Sequence, residues 1–263
     1  MSDTNDSGTS TEVSLFATRV GRMIDDIARG QAREIQAAGA LLAQAIERGG
    51  LIHTFGTGHS HLLAEEIYSR AGGLLPVNVI ESAPLMLHED AVASGQWERL
   101  SGVAAILMEH AGVEPDRDML IVISNSGRNA VPVEAAAWAR ARGMPVVAIT
   151  SLAHSRAVPS LSPPDRKLYE VADVVLDNRG EPGDAAIEVT PGLRVAATST
   201  ITGAFIMQAI VLSALTQCVA GDVALPVLVS GNTEGARQRN RHTLEGYQGR
   251  LPAAYERLRA RAV

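Results

Sequence analysis

An α/β fold built on a doubly wound parallel sheet is predicted by three observations. Short apolar runs alternate with helix-forming stretches along most of the chain. Runs such as Met119 to Ile123 and Pro145 to Ile149 are rich in Val and Ile and lack polar alternation, as strands covered on both faces require. Three of the runs end in hydroxyl-bearing turns, Gly56 to Ser60, Ser124 to Asn129 and Thr150-Ser151. Sheets of this class bind ligands at the carboxyl ends of their strands, where strand order reverses.

Residues 1–12 are Ser, Thr, Asp, Asn and Gly in the main and bury too little to offset their ordering entropy, so a mobile tail is expected. Residues 13–263 read as one domain. Between Val13 and Arg48 the apolar residues recur mostly at helical spacing, with Gly30 and Gly39 as soft points and Gly49-Gly50 as the stop, which predicts one long N-terminal helix, 13–48, or two in series. Strands follow at Leu51 to Phe55, Pro76 to Ile80, Met119 to Ile123, Pro145 to Ile149 and Val171 to Leu176. Helices are expected from His61 to Ala71, ended by Gly72-Gly73, from Gln96 to His110, from Ala130 to Arg142 and from Ala197 to Val219, with a helical C-terminal extension over 220–263.

Composition narrows the function. No continuous apolar run reaches the roughly 18 residues of a membrane span, and the N-terminus is polar where a secretory signal is basic and then apolar, so a cytoplasmic chain without membrane attachment is expected. Lys and Arg number 23 against 29 Asp and Glu, a net charge of -6 that argues against a nucleic-acid partner. The single cysteine, Cys218, lies in an apolar stretch and is expected to pack. Lys167, the only lysine, stands in a Pro-rich loop and is a poor candidate for Schiff-base chemistry.

The stretch MLIVISNSGRN, 119–129, runs a buried strand into Ser124, Asn125, Ser126, Gly127, Arg128 and Asn129, just before a helix. Unpaired N–H groups at a helix start, hydroxyl donors and a glycine that admits close approach together make an anion site. Gly56-Thr57-Gly58-His59-Ser60-His61 begins like a dinucleotide fingerprint, with Glu81 near the place of its acidic residue, but His61 stands where the third glycine belongs. No Gly-Lys-Ser/Thr sequence occurs, so a Walker loop is excluded. Two Ser-rich turns favour a monophosphate over a nucleotide.

Taken in order, strand, GTGHS, helix, strand, ISNSGRN, helix, strand and ITS resemble the sugar isomerase (SIS) domain, over roughly Val13 to Val219. Within that family the chain resembles the phosphoheptose-isomerase-like branch of SIS-domain proteins. The resemblance implies a five-stranded parallel sheet of flavodoxin-like architecture, a homodimer or homotetramer with sites near subunit boundaries, and a sugar-phosphate ligand. It carries phosphate binding to Ser60, Ser124, Ser126 and Ser151, within the wider set Gly56, Gly58, His59, Asn125, Gly127 and Asn129. Many family members have Thr where this chain has Asn129, whose amide can still donate to phosphate.

An aldose–ketose isomerisation needs a base that moves a proton between adjacent carbons and an acid for the sugar oxygens, and no cofactor. Candidates near the rim are His59, Glu65, Glu66, Glu81, His88, Glu89 and His154, with Glu66, Glu65, His88 and His154 expected to be catalytic and Glu66 preferred between the two adjacent glutamates. Pairing of a glutamate with Arg70 is the plainer alternative for that helix face. Asp184 and His242 stand farther from the motifs and are weaker candidates. His59, His61 and Glu65 have partial ligand spacing, but without a His-Glu-x-x-His motif no metal is expected. The expected function is therefore a metal-independent sugar-phosphate isomerase; alternatives are a non-catalytic phosphosugar sensor and a phosphosugar lyase. The polar segment around Asn232, Arg237 and Arg241 is expected either to be a solvated helix or to close over a pocket.

Overall fold

The computed structural model describes residues 11–247 and Arg250. Two helices in series, α1 (Thr11–Gly30) and α2 (Ala32–Glu47), precede five parallel strands: β1 (Ile52–Gly56), β2 (Val77–Ile80), β3 (Met119–Ile123), β4 (Val146–Thr150) and β5 (Val174–Asp177). Their order is β2-β1-β3-β4-β5, so the direction of winding reverses between β1 and β3. β1, β3 and β4 are buried along their whole length, which is why their sequences show no polar alternation.

Side-chain period two divides the core. Ile52, Met119, Ile121, Ile123, Val147 and Ile149 face α2 and the long helix α9 (Ser199–Ala220). Phe55, Leu120, Val122, Val146 and Ala148 face α5 (Val103–His110), α6 (Ala130–Arg140) and α8 (Leu168–Val171). By length and composition α9 could cross a membrane, contrary to the sequence reading, because its small and hydroxyl residues break no helix and carry no charge. Here it lies on α2, with Gly203, Ile206, Met207, Ile210, Ala214 and Cys218 buried. Gln31, between α1 and α2, exchanges two 2.7 Å hydrogen bonds with the backbone of Asp177 and so covers part of the β5 edge.

Three local expectations are corrected. The helix after the first turn, α3, spans only His61–Ala64; Ser69 takes φ +44°, and the chain turns so that the Leu74 and Leu75 N–H groups reach the carbonyls of Ile67 and Pro226. The segment expected to be helical from Gln96 is split into α4 (Ala91–Trp97) and α5, with Gly102 at φ +89° and its N–H held by Glu134. β5 begins after the single turn of α8, not at Val171. A hairpin for which no element was expected, β6 (Ile187–Thr190) and β7 (Leu193–Val195), turns at Pro191-Gly192. A short helix α7 (Leu152–Ala157) follows β4.

Of the C-terminal extension, α10 spans Ala236–Glu245, and the helix expected after Arg250 lies outside the described residues; of the expected tail 1–12, residues 1–10 also lie outside them, while Thr11 and Glu12 open α1 instead. Leu244 and Tyr247 pack with Leu228 against Leu75, just before β2, and the Asn240 amide bonds both the N–H and the carbonyl of Val229. Arg250 pairs with Glu114 and reaches Asp118 at 2.5 Å. Asp118, immediately before β3, also accepts the N–H groups of Leu51 (2.8 Å) and Glu114 (2.7 Å) and the His53 Nε2–H (3.0 Å). Asn78 donates to His53 Nδ1 at 3.0 Å, which fixes the proton on Nε2. This network ties β1, β2 and β3 together where the strands begin.

Burial alone would raise the Asp118 pKa, but these donors outweigh it and hold the carboxyl at about 2, against an ordinary 3.8. A carboxylate depressed in the fold contributes stability that is complete above its unfolded pKa and disappears as pH falls through the folded one. Chemical denaturation of the wild type should therefore lose on the order of 2 kcal/mol between about pH 4 and pH 2. Asp118→Asn should be less stable at neutral pH and flatter over that window; an unchanged slope would separate Asp118 from acid stability.

Candidate functional site

Two turns at the reversal point build the site. β1 ends at Gly56, where a Cβ would meet the Ser60 carbonyl oxygen at 2.5 Å, so only glycine lets the chain fold back this tightly. Thr57 donates to Glu98 Oε2 at 2.8 Å, and the His61 Nδ1–H donates to the Gly58 carbonyl. These bonds present His59 and Ser60 upward. After β3, Ser124 Oγ accepts the Gly127 N–H at 3.2 Å, and Gly127 takes φ +55° with Thr150 Oγ1 only 3.0 Å from where a Cβ would stand. Asn125 stitches this turn to its neighbours: its carbonyl accepts from Thr150 Oγ1 and the Ser151 N–H, and its Oδ1 accepts from Asn178 at 2.9 Å. Asn129 precedes α6 with its side chain not capping the helix.

Between the turns opens a cleft of ≈ 330 Å³, lined as well by Asn178, His154, Asp184 and the start of α9. Asp184, at φ +51°, accepts the N–H groups of Thr198 (3.1 Å) and Ser199 (3.0 Å) as well as their hydroxyls. The Gly183 N–H donates to His154 Nδ1 at 2.9 Å. No lysine or arginine lines the cleft among the described residues. Arg128, in the second turn, and Lys167 both act electrostatically on His154, and the Lys167 amine is tied to the carbonyls of Ser155 and Val158. A larger groove of ≈ 520 Å³ runs along the β2 edge past Asn78, Ile106 and His110, but it is open, and neither Ser turn reaches it.

The cleft brings together Gly58, His59, Ser60, Ser124, Asn125, Ser126, Asn129 and His154. Gly56 and Gly127 shape the turns from beneath. Ser151 is spent on structure, fully buried, donating to the Gly180 carbonyl and capping the His154 N–H. Glu66 lies outside the cleft, paired with Arg70 and bonded to Gln208 at 2.8 Å, the plainer alternative for that helix face. Glu65 stands beside Glu81, which lines the larger groove along β2 and not the cleft. Loss of solvent, then the Glu65 carboxyl, raises the Glu81 pKa, while His61 opposes the rise. His88 is exposed, its ring 5.9 Å from that of His61 and its Nε2 3.8 Å from Glu89. Asn232, Arg237 and Arg241 do not line the cleft, because their segment packs at the opposite end of the strands, so closure of the chain's own pocket by them is set aside.

Sequence reasoning missed Glu98, Asn178 and Thr57 and undervalued Asp184. Glu98 and Thr57 are 41 positions apart and meet only through tertiary folding. The turn-rich loop 177–184 and the Thr198-Ser199-Thr200 run were visible as motifs, but nothing in the sequence joined them.

Residues 15–151 match the SIS domain. The chain belongs to the SIS-domain family. Its relatives include a UPF0309 protein of Geobacillus kaustophilus, 37% identical over 246 residues, or 93% of this chain and 97% of that one. Another, from Listeria monocytogenes serotype 4b, is 40% identical over 232 residues, covering 88% and 94%. Two solved structures share the fold of this SIS-domain chain. One, from Bacteroides fragilis, is described as a phosphosugar isomerase involved in capsule formation (TM-score 0.51, 19% identity, 92% and 97% of the two chains). The other is a phosphoheptose isomerase from Francisella tularensis (TM-score 0.50, 18% identity, 77% and 95%).

The geometry separates shaping from binding positions. Ser151→Ala should lower stability by about 1 kcal/mol, read from the urea midpoint, while leaving the affinity for inorganic phosphate within twofold. A large loss of affinity with no loss of stability would make Ser151 a ligand contact instead.

Proposed function

We propose that this chain binds a sugar phosphate in the cleft and interconverts its aldose and ketose forms by acid–base chemistry. The observation that carries the reading is the meeting of the Ser60 and Ser124–Asn129 turns at the strand-order reversal, at the start of α6. Hydroxyl, amide and backbone donors suit a phosphate monoester, and Arg128, within the second turn, and Lys167 add positive potential without lining the cleft. A cleft of ≈ 330 Å³ is at the small end of ligand pockets and suits one monosaccharide. Membership of the SIS family and the isomerase descriptions of two fold neighbours agree with this reading by analogy.

Isomerisation moves a proton from the carbon beside a carbonyl, which calls for a carboxylate or imidazole within reach. Glu98 lines the cleft and supplies such a carboxylate, which favours a catalyst over a pure sensor. The reading includes a cytoplasmic homo-oligomer, supported by exposed Val13 and Leu15 on α1 and Leu212 and Val219 on α9. Light scattering at micromolar concentration should return a multiple of the chain mass; a monomer would contradict the assembly.

Ser124→Ala combined with Ser126→Ala should leave the protein folded and weaken binding of a panel of sugar phosphates, each lost charge-assisted bond costing roughly 1.5–3 kcal/mol. Calorimetry and thermal shift against the panel check this. Undiminished affinity in the double variant would place the anion elsewhere.

A further inference from the structure

We propose that His154 acts as a neutral electrophile, its Nε2–H donating a hydrogen bond to the sugar oxygen that becomes negative during isomerisation, and that the Glu181–Asp184 turn is the device that holds it in this form. The inference deepens the isomerase reading and rests on it.

The argument begins with the ring's two nitrogens. Nδ1 accepts the Gly183 backbone N–H at 2.9 Å, a donor that cannot be deprotonated, so a neutral ring carries its proton on Nε2. Nε2 has no partner among the described residues, and His154 lines the cleft together with residues of both Ser turns. The donor itself is fixed from two sides. The Asp184 N–H closes the turn onto the Glu181 carbonyl at 2.9 Å, and the Asp184 carboxylate is anchored on the Thr198 and Ser199 N–H groups at the start of α9. Gly183 is thereby held against the ring by the helix that backs the sheet.

Burial, more than the charges around it, favours the neutral ring. Burial lowers its pKa first; Arg128, from the turn after β3, and Lys167, from the loop before α8, lower it further, while Asp184 opposes them. An imidazolium would also bring a second proton to Nδ1, against the Gly183 N–H. General-base work at Nε2 is closed to such a ring, since its lone pair lies on Nδ1.

The step balances without a change in His154. A carboxylate base takes the proton from C2 of the aldose; the C–H pair becomes the C1=C2 bond, and the carbonyl pair moves onto O1. The Nε2–H donates to O1 in the enediolate and keeps its proton. The base then delivers its proton to C1, and the O2 hydroxyl proton passes to O1 as C2=O2 forms. A donor aimed at a developing oxyanion contributes to kcat and little to ground-state binding.

Two measurements test this. Long-range 1H–15N spectra of histidine-labelled protein, with His154 assigned by its loss in His154→Gln, should show a protonated Nε2 and a bare Nδ1 from about pH 7.5 to 8.5, where an ordinary histidine is largely deprotonated but free to choose its tautomer. A proton on Nδ1 overturns the inference. In turnover of whichever sugar phosphate the wild type isomerises, His154→Ala should lower kcat by about 10²–10³-fold with KM and inorganic phosphate affinity within about twofold. His154→Gln, which keeps an N–H donor, should recover part of the loss, as a merely structural histidine would not require. Equal kcat in wild type and His154→Ala overturns the electrophile and leaves the isomerase standing. A wild type that binds inorganic phosphate but converts no sugar phosphate overturns both.

Discussion

Everything at the candidate site depends on the reversal of strand order between β1 and β3. Because the chain winds outward from these two strands in opposite directions, no crossover lies above the gap between their carboxyl ends. The turns after β1 and β3 are therefore left facing one another, and the space between them is the cleft. What keeps that space from collapsing is the Asn125 side of the second turn, tied at once to Thr150, Ser151 and Asn178, the ends of the next two strands. The phosphate-type turn is thus a rigid extension of β4 and β5.

The two ends of the sheet use polar groups differently. Where the strands begin, Asp118 gathers four donors, among them His53 and Arg250, into a closed arrangement that binds three strands and the C-terminal segment. Where they end, Ser60, Ser126 and His59 remain accessible, with their cations set back. Charge on one rim is consumed by the fold; on the other it is left for a ligand. A folded chain can therefore lose the first network without losing the donors of the second, which makes stability and binding separable by mutation.

Much of this was legible in the sequence. β3 and β4 were readable because full burial removes polar alternation, and the turns 56–60 and 124–129 were readable because Gly, Ser and Asn at strand ends have few structural alternatives. The length of α3 was not, because Ser69 at positive φ and the bridge of Leu74 to Val227, 153 positions on, override a good helical pattern. The Glu66 preference rested on spacing along a helix that in fact ends at Ala64, so the face it was assigned to does not exist as such. Glu98 and Asp184 came to the cleft from a split helix and from an irregular loop, neither of which has a period to read.

Asp184 has one more consequence. By accepting the first N–H groups of α9, its carboxylate cancels the positive end of the longest helix in the cleft wall. The start of α6, across the cleft, has no such carboxylate capping it. The two walls are therefore unequal, one repelling an anion and the other receiving it, so a molecule with a single charged end can lie between them in one sense only. Orientation of a ligand with one anionic end would follow from this polarity before any of its other groups had been recognised.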